Sequence, residues 1–111
     1  MIKYIHIRPG VTYDSAAKKL VGDPLPKGGT TIAFTYNPAT GEIDITVAQC
    51  HPRDSYSRAR GRQIAGGRLQ KGHMDMYCIY DDTKGVVEQV VEQVGDYLDC
   101  LRRYFESVKA A

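Results

Sequence analysis

The residues best suited to chemistry lie in one basic segment near the middle of the chain. Between Arg53 and Lys71, six basic residues stand against a single acid, Asp54, which gives the segment a net charge of +5. The 111-residue chain as a whole carries +2, so the remaining residues sum to −3. Positive charge concentrated at one place predicts an anionic partner there rather than a uniformly basic surface.

The composition of this segment favours phosphate as the anion. Most of its basic residues are arginines, whose planar guanidinium forms paired hydrogen bonds with phosphate and stacks on nucleotide bases. Ser55 or Ser57 is placed to cap a helix that runs to about Lys71. The free amides at the start of such a helix would add a further site for phosphate.

Helical spacing indicates on which side of the predicted helix each arginine lies. Arg58 and Arg62 are one turn apart, Arg68 lies close to the buried side, and Arg60 points away. The phosphate-binding candidates are therefore Arg58, Arg62 and Arg68. The candidates for stacking on a base are the aromatic residues Phe34, Tyr36 and Tyr56. The alternative is a solvated basic helix that serves only solubility.

Three glycines in the same helix also call for an explanation. Gly61, Gly66 and Gly67 each cost about 1 kcal/mol of helix stability relative to alanine. Their presence predicts close packing of the backbone or close approach of a ligand. One face of the helix gathers small and apolar residues, namely Gly61, Ile64, Ala65 and Leu69. The glycine spacing matches neither a Walker loop nor a dinucleotide-binding fingerprint.

The rest of the sequence predicts one α+β domain over residues 1–111. Its strands are predicted over residues 2–8, 30–36, 42–49 and 74–80. A short helix is predicted from Asp14 or Ser15 to Leu20, a loop over residues 23–29, a turn out of the sheet over residues 50–55, and a long helix over residues 84–109. Asn37 and Gly41 predict a β-hairpin between the second and third strands. Together these elements give a small, mainly antiparallel sheet of about four strands, with an Arg/Gly-rich helix and a long C-terminal helix.

The apolar face of the last helix is wider than one sheet surface normally covers. Residues of this face recur every seven positions at Val87, Val94, Leu101 and Val108, with further apolar residues between them. We expect one part of the face to pack on the sheet and the other on a second copy of the chain, which predicts a homo-oligomer. The alternative is that the whole face belongs to the core of one chain.

Catalysis has little support in the sequence. Cys50, His51 and Asp54 could be drawn as a nucleophilic set, but neighbours on a strand point to opposite faces. Asp81 and Asp82 are typical of a charged turn before a helix, with a divalent cation site as the alternative. We expect no enzyme activity, no catalytic residues and no cofactor.

The three cysteines, Cys50, Cys78 and Cys100, are widely spaced and include no close pair. This spacing favours reduced thiols packed as small hydrophobic residues. A zinc site made of Cys50, His51, His73 and Cys78 is the alternative, but structural zinc sites usually show close ligand pairs. We therefore expect no metal. The sequence also shows no apolar stretch of about 18 residues and no signal peptide, so we expect no membrane contact and a cytoplasmic location.

The hairpin and the run that follows it, CHPRDSYSRARGRQIAGGRL over residues 50–69, resemble a run found in small phage-encoded proteins. The run is similar to the first family of Thoeris anti-defence proteins, and the similarity covers roughly residues 30–71, with the long C-terminal helix fitting in outline. The resemblance implies a sponge that binds the cyclic ADP-ribose isomer made by a bacterial immune TIR enzyme without degrading it. It also implies dimers or hexamers, and some members hold cyclic oligonucleotides at a separate site.

The function expected from this resemblance is sequestration of a cyclic nucleotide signal in the cytoplasm of an infected bacterial host, with self-association through residues 84–109. The alternative is a small phage protein that binds nucleic acid through the basic helix at residues 57–71. The confinement of positive charge to one helix argues against this alternative, because binding to a polymer favours an extended basic track.

Overall fold

The computed structural model describes the backbone of residues 1–110 and the side chains of residues 1–99. The elements of this part of the chain are β1 (Lys3–Ile7), β2 (Val11–Asp14), β3 (Lys19–Gly22), β4 (Lys27–Asn37), β5 (Glu42–Ser55), α1 (Arg58–Gln70), β6 (Met76–Ile79) and α2 (Val86–Ala110). An antiparallel four-stranded sheet has the order β1-β4-β5-β6, and β2 pairs with β3 in a separate two-stranded sheet. The α+β class, the antiparallel sheet and the two predicted long helices are confirmed.

The predicted hairpin between the second and third strands is also confirmed, as the connection from β4 to β5. The backbone oxygen of Asn37 accepts a hydrogen bond from Gly41 N at 2.8 Å, and its side-chain oxygen accepts one from Ala39 N at 3.0 Å. Gly41 has a φ of 75°, a backbone conformation that glycine adopts without a steric penalty. Local turn chemistry is sufficient to specify this hairpin.

The short helix predicted from Asp14 or Ser15 to Leu20 is wrong, because β2 and β3 form a hairpin there. The Asp14 carboxylate accepts hydrogen bonds from the backbone of Ala16 and Ala17 within the turn, as it would at a helix start. Lys18 then adopts a φ of 56°, which ends any helical path. A helix of about two turns is marginal by itself, whereas the flanking β-branched and aromatic residues favour strands.

The predicted boundaries of β4 and β5 are also wrong at the end far from the hairpin. Residues 50–55 remain in β5, and β4 begins inside the predicted loop at residues 23–29. The pairs Gly29↔Cys50 and Lys27↔Ser55 enclose an irregularity in which β5 contributes the extra residues. Such a bulge bends the strand without ending its pairing. The bend brings the chain towards the start of α1.

The two helices cover opposite faces of the sheet. Successive strand residues point to opposite sides, so Ile32 and Thr31 of β4 face different helices. The Ile32 face packs against α2, in a core formed by Ile5, Ile32, Phe34, Ile43, Ile45, Val47, Val90 and Val94. The Thr31 face carries α1, which lies over β4 and β5.

The apolar face of α2 is only partly used by the sheet. Val90 and Val94 are buried, while Val87 and Tyr97 remain 40% and 37% exposed. The positions predicted to continue the stripe, Leu101 and Val108, lie outside the residues whose side chains are described, as does Cys100.

Candidate anion-binding site

Helix α1 packs unusually close to the sheet, and glycine makes this approach possible. A Cβ atom at Gly61 would overlap the Thr31 side chain, and one at Gly66 would overlap the Tyr4 hydroxyl. Ala65 between them is fully buried. Gly67 has nothing within 4 Å of its Cβ position, so close packing explains two of the three glycines. Ile64, predicted on the packed face, is 44% exposed, because the contact is made through the glycines and Ala65.

The start of α1 has the features predicted for it. Ser57 is the N-cap, with extended backbone, and its hydroxyl oxygen accepts a hydrogen bond from Arg60 N at 3.2 Å. No acidic residue occurs in the first turn. The positive end of the helix dipole is therefore not neutralised by a carboxylate of its own helix.

Behind this helix start, three side chains from distant parts of the chain form a hydrogen-bonded cluster. The Tyr56 hydroxyl lies 2.6 Å from His6 Nδ1 and 2.7 Å from Thr31 Oγ1. Thr31 is 1% exposed, so the cluster extends into the interior. It ties Tyr56, the residue before the N-cap of α1, to β1 and β4.

Arg62 joins this cluster from the helix side. Its Nε donates a hydrogen bond to His6 Nε2 at 3.0 Å, and its guanidinium carbon lies 5.4 Å from the centre of the Tyr4 ring. Because arginine only donates, Nε2 must present a lone pair. Neutral His6 therefore carries its proton on Nδ1 and donates it to Tyr56, whose own hydrogen is then free to bond Thr31.

The electrostatics of His6 agree with this arrangement. Burial lowers the pKa of His6 below its ordinary value, and the positive charges of Arg62 and Arg58 lower it further. The neutral form is therefore favoured at neutral pH. We call the surface formed by Tyr4, His6, Arg58 and Arg62 the arginine flank.

Arg68, a predicted phosphate-binding residue, makes two contacts within the protein. Its Nη1 donates to the Val47 carbonyl at 3.2 Å, and its Nη2 forms an ion pair with Asp75 at 2.6 Å. The second Asp75 oxygen accepts a hydrogen bond from Val47 N at 2.7 Å. Arg68 thus joins the end of α1 to β5 and to the residue before β6, and each of its Nη groups donates one hydrogen bond within the protein.

The predicted stacking residues are separated by the sheet. Tyr56 lies on the α1 side, beside the arginine flank. Phe34 is 2% exposed in the core beneath α2. Tyr36 lies on that same face and makes an edge contact with Tyr80, with ring centres 5.1 Å apart. The structure therefore does not bring Phe34 or Tyr36 to the arginines.

A cleft of about 570 Å³ lies on the other side of α1, between the helix and the last part of β5. We call it the helix cleft; its lining includes Gln49, Cys50, His51, Tyr56, Arg60 and Ile64. Arg60, which the sequence places away from Arg58 and Arg62, faces this cleft. The Cys50 thiol lies within hydrogen-bond distance of the backbone carbonyls of residues 51, 54 and 55, and His51 Nδ1 accepts from Arg53 N. Cys50 and His51 therefore do not form a nucleophile–base pair.

Sequence reasoning missed the residues that organise the arginine flank. Tyr4 and His6 alternate with the core residues of β1, and this alternation could have placed them on the face opposite Ile5. Their partners could not have been found in this way, because His6 contacts residues 50 and 56 positions further along the chain.

Comparison with protein-family models, with curated proteins and with solved structures gave no match for this chain. Within the described part of the chain, no three His, Cys, Asp or Glu residues are grouped so that they could hold a metal ion. The alternative zinc set of Cys50, His51, His73 and Cys78 is therefore not assembled. Asp81 instead accepts hydrogen bonds from Thr83, which lower its pKa. No helix among the described residues is both long and apolar enough to cross a membrane.

Proposed function

We propose that the chain binds and sequesters a small cyclic nucleotide, of the cyclic ADP-ribose isomer class, without degrading it. The observation that carries the proposal is the arginine flank. Arg58 and Arg62 lie together beside a helix start that has no acidic residue in its first turn. Among the described residues, Arg62 uses only its Nε in a hydrogen bond, so both Nη groups face no protein acceptor. This leaves the paired donors that suit a phosphate group.

The choice of a nucleotide rather than a bare anion rests on the family resemblance, because arginines already lie over the two aromatic rings beside the flank. Tyr56 adjoins the flank, and Arg8 already lies over its ring at 5.1 Å. Tyr4 lies under the Arg62 guanidinium. Phe34 and Tyr36 are not part of this site. Arg68 supports it indirectly, by holding the far end of α1 against the sheet.

Self-association belongs to the same proposal. The exposed Val87 and Tyr97 widen the apolar face of α2 beyond the buried Val90 and Val94. A second copy that covers this strip would give the dimer or hexamer expected from the family resemblance. Leu101→Glu, in the predicted continuation of the stripe, should reduce the molar mass measured by light scattering to that of a single chain. An unchanged molar mass would contradict the interface.

One observation favours nucleic acid as a second candidate. Arg60 in the helix cleft lies across α1 from the arginine flank, so positive charge is available on both sides of the helix. A single strand crossing α1 could contact both sides, and its binding should weaken steeply with added salt. A small ligand held by two arginines should show a shallower dependence.

The experiment that tests the proposal is a titration with cyclic ADP-ribose isomers, cyclic di- and trinucleotides and a short single-stranded oligonucleotide, each at two salt concentrations. The bound fraction is then denatured and the released ligand identified. Tight binding of a cyclic nucleotide that is recovered unchanged supports sequestration. Recovery of a cleaved product, or binding of the oligonucleotide alone with a steep salt dependence, contradicts it.

A further inference from the structure

The guanidinium of Arg62 is held on two sides before any ligand arrives. His6 Nε2 accepts its Nε–H at 3.0 Å, and its guanidinium carbon lies over the Tyr4 ring, 5.4 Å from the ring centre. The Arg62 residue is nevertheless exposed, at the surface of α1. An exposed arginine normally moves among many rotamers and loses that freedom when it binds a ligand. Two fixed contacts reduce this loss in advance, which is the general benefit of preorganisation.

The contact with His6 constrains direction as well as position. A guanidinium has five N–H donors in one plane, and the Nε–H lies at one edge. When His6 takes this donor, the hydrogen bond sets the rotation of the plane, and the two Nη groups are left without acceptors among the described residues. These Nη groups are the donors that would form paired hydrogen bonds with phosphate oxygens.

His6 can do this only as a neutral ring that is protonated on Nδ1, and its surroundings select that form. The Tyr56 hydroxyl at 2.6 Å accepts the Nδ1 proton, and it is anchored in turn by the buried Thr31 at 2.7 Å. The contacts that link Thr31, Tyr56, His6 and Arg62 can therefore all be made with the His6 proton on Nδ1. A protonated ring would have no lone pair for Arg62 and would add a third positive charge beside Arg58 and Arg62.

We propose that His6 is a positioning residue for the anion site: through Nε2 it orients the Arg62 guanidinium so that the two Nη groups receive a phosphate, while His6 itself does not contact the ligand. This inference rests on the proposed function, because it assigns Arg62 the phosphate. It also makes Tyr56 a support of the histidine tautomer in addition to a neighbour of the ligand.

Two substitutions distinguish the contact made by His6 Nδ1 from the contact made by His6 Nε2. In His6→Asn, the shorter side chain can place an amide near the Nδ1 position and keep the contact with Tyr56, but it cannot reach Arg62. In His6→Gln, the longer side chain can place its amide oxygen near the Nε2 position and accept from Arg62 Nε. The probe is inorganic diphosphate, titrated by calorimetry and NMR at low salt and pH 7.5. Arg62→Ala, alone and combined with His6→Asn, completes the set.

We expect His6→Asn to lower the affinity for diphosphate about ten-fold, because the Arg62 side chain would then have to be ordered when the ligand binds. His6→Gln should keep most of the affinity. In the Arg62→Ala background, His6→Asn should have no further effect, which a merely structural role would not produce. Nitrogen NMR of the free protein should show His6 protonated on Nδ1 and unprotonated on Nε2.

The remaining outcomes overturn different statements. If Arg62→Ala weakens binding but His6→Asn does not, the positioning role is wrong and the proposed anion site stands. If Arg62→Ala leaves binding unchanged, or the wild-type protein does not bind diphosphate at Arg62, both the positioning role and the proposed site are wrong. A proton on His6 Nε2 would contradict the positioning role directly.

Discussion

The two faces of the sheet are built in different ways. The α2 face is packed with large aliphatic side chains, and Ile32, Ile43 and Ile45 are fully buried there. The α1 face has small residues on the helix and polar groups on the strands, with Thr31 and His6 joined by hydrogen bonds. Aliphatic packing contributes most of the stability available to a domain of this size. Polar clusters fix side-chain directions instead. The α2 face therefore supplies most of the stability, whereas the binding site that we propose lies on the α1 face.

The largest expected effect comes from removing part of the α2 core. Ile32→Ala should lower the free energy of unfolding by about 2–5 kcal/mol, because Ile32 is fully buried and its removal leaves a cavity. Ile64→Ala on α1 is the matched control, since Ile64 is 44% exposed, and it should change stability by less than about 1 kcal/mol. Chemical denaturation measures both. Equal losses would contradict the assignment of stability to the α2 face.

Two glycine substitutions within α1 should change the free energy of unfolding by smaller amounts and in opposite directions. Gly61→Ala should destabilise by about 1–3 kcal/mol, because its Cβ would overlap Thr31 and push α1 from the sheet. Gly67→Ala should stabilise by about 0.5–1 kcal/mol, because its Cβ meets no neighbour and alanine favours the helix. The two substitutions are chemically identical, so thermal unfolding of the pair isolates the effect of packing. A stabilised Gly61→Ala protein would show that α1 is not closely packed.

The smallest effect concerns pH and the His6 cluster. The pKa of His6 is lowered in the folded chain, so the unfolded chain binds more protons in the window between that lowered pKa and the ordinary value of 6.5. The stability from neutral His6 is therefore complete above about pH 6.5 and is lost as the pH falls through this window. The difference in stability between wild type and His6→Gln should shrink across this range, because His51 and His73 are present in both proteins. A difference that grows on acidification would contradict the sign of the pKa shift.

Local signals predicted part of this molecule well. Asn37 and Gly41 specify their hairpin through turn chemistry, and Ser57 specifies the start of α1 through its capping oxygen. The same kind of signal was misleading at Asp14, whose carboxylate caps a turn between strands as readily as a helix. A local capping pattern of this kind occurs both at helix starts and in turns between strands, so the pattern alone does not distinguish the two structures.

Features that depend on distant contacts were less predictable. Nothing near Arg68 in the sequence indicates that Asp75 and the Val47 carbonyl occupy its guanidinium. Phe34 was predicted as a stacking residue, and only the packing of α2 shows that its face of β4 is the core. The orientation of the Arg62 guanidinium also depends on His6, which lies 56 residues earlier in the chain. Charge and residue type therefore indicated the segment that contains the candidate site. The individual residues of the site could be identified only from the three-dimensional structure.

The proposal that the arginine flank binds the ligand is tested most directly by a binding titration with the cyclic ADP-ribose isomer that compares Arg62→Ala with Arg60→Ala. Both changes remove one arginine from α1, but Arg62 belongs to the arginine flank and Arg60 lines the helix cleft. We expect Arg62→Ala to weaken binding roughly a hundred-fold, through the loss of two charge-assisted hydrogen bonds. Arg60→Ala should leave binding nearly unchanged, and both proteins should unfold close to the wild-type temperature. Loss of binding in Arg60→Ala with retention in Arg62→Ala would place the ligand in the helix cleft and contradict the central claim.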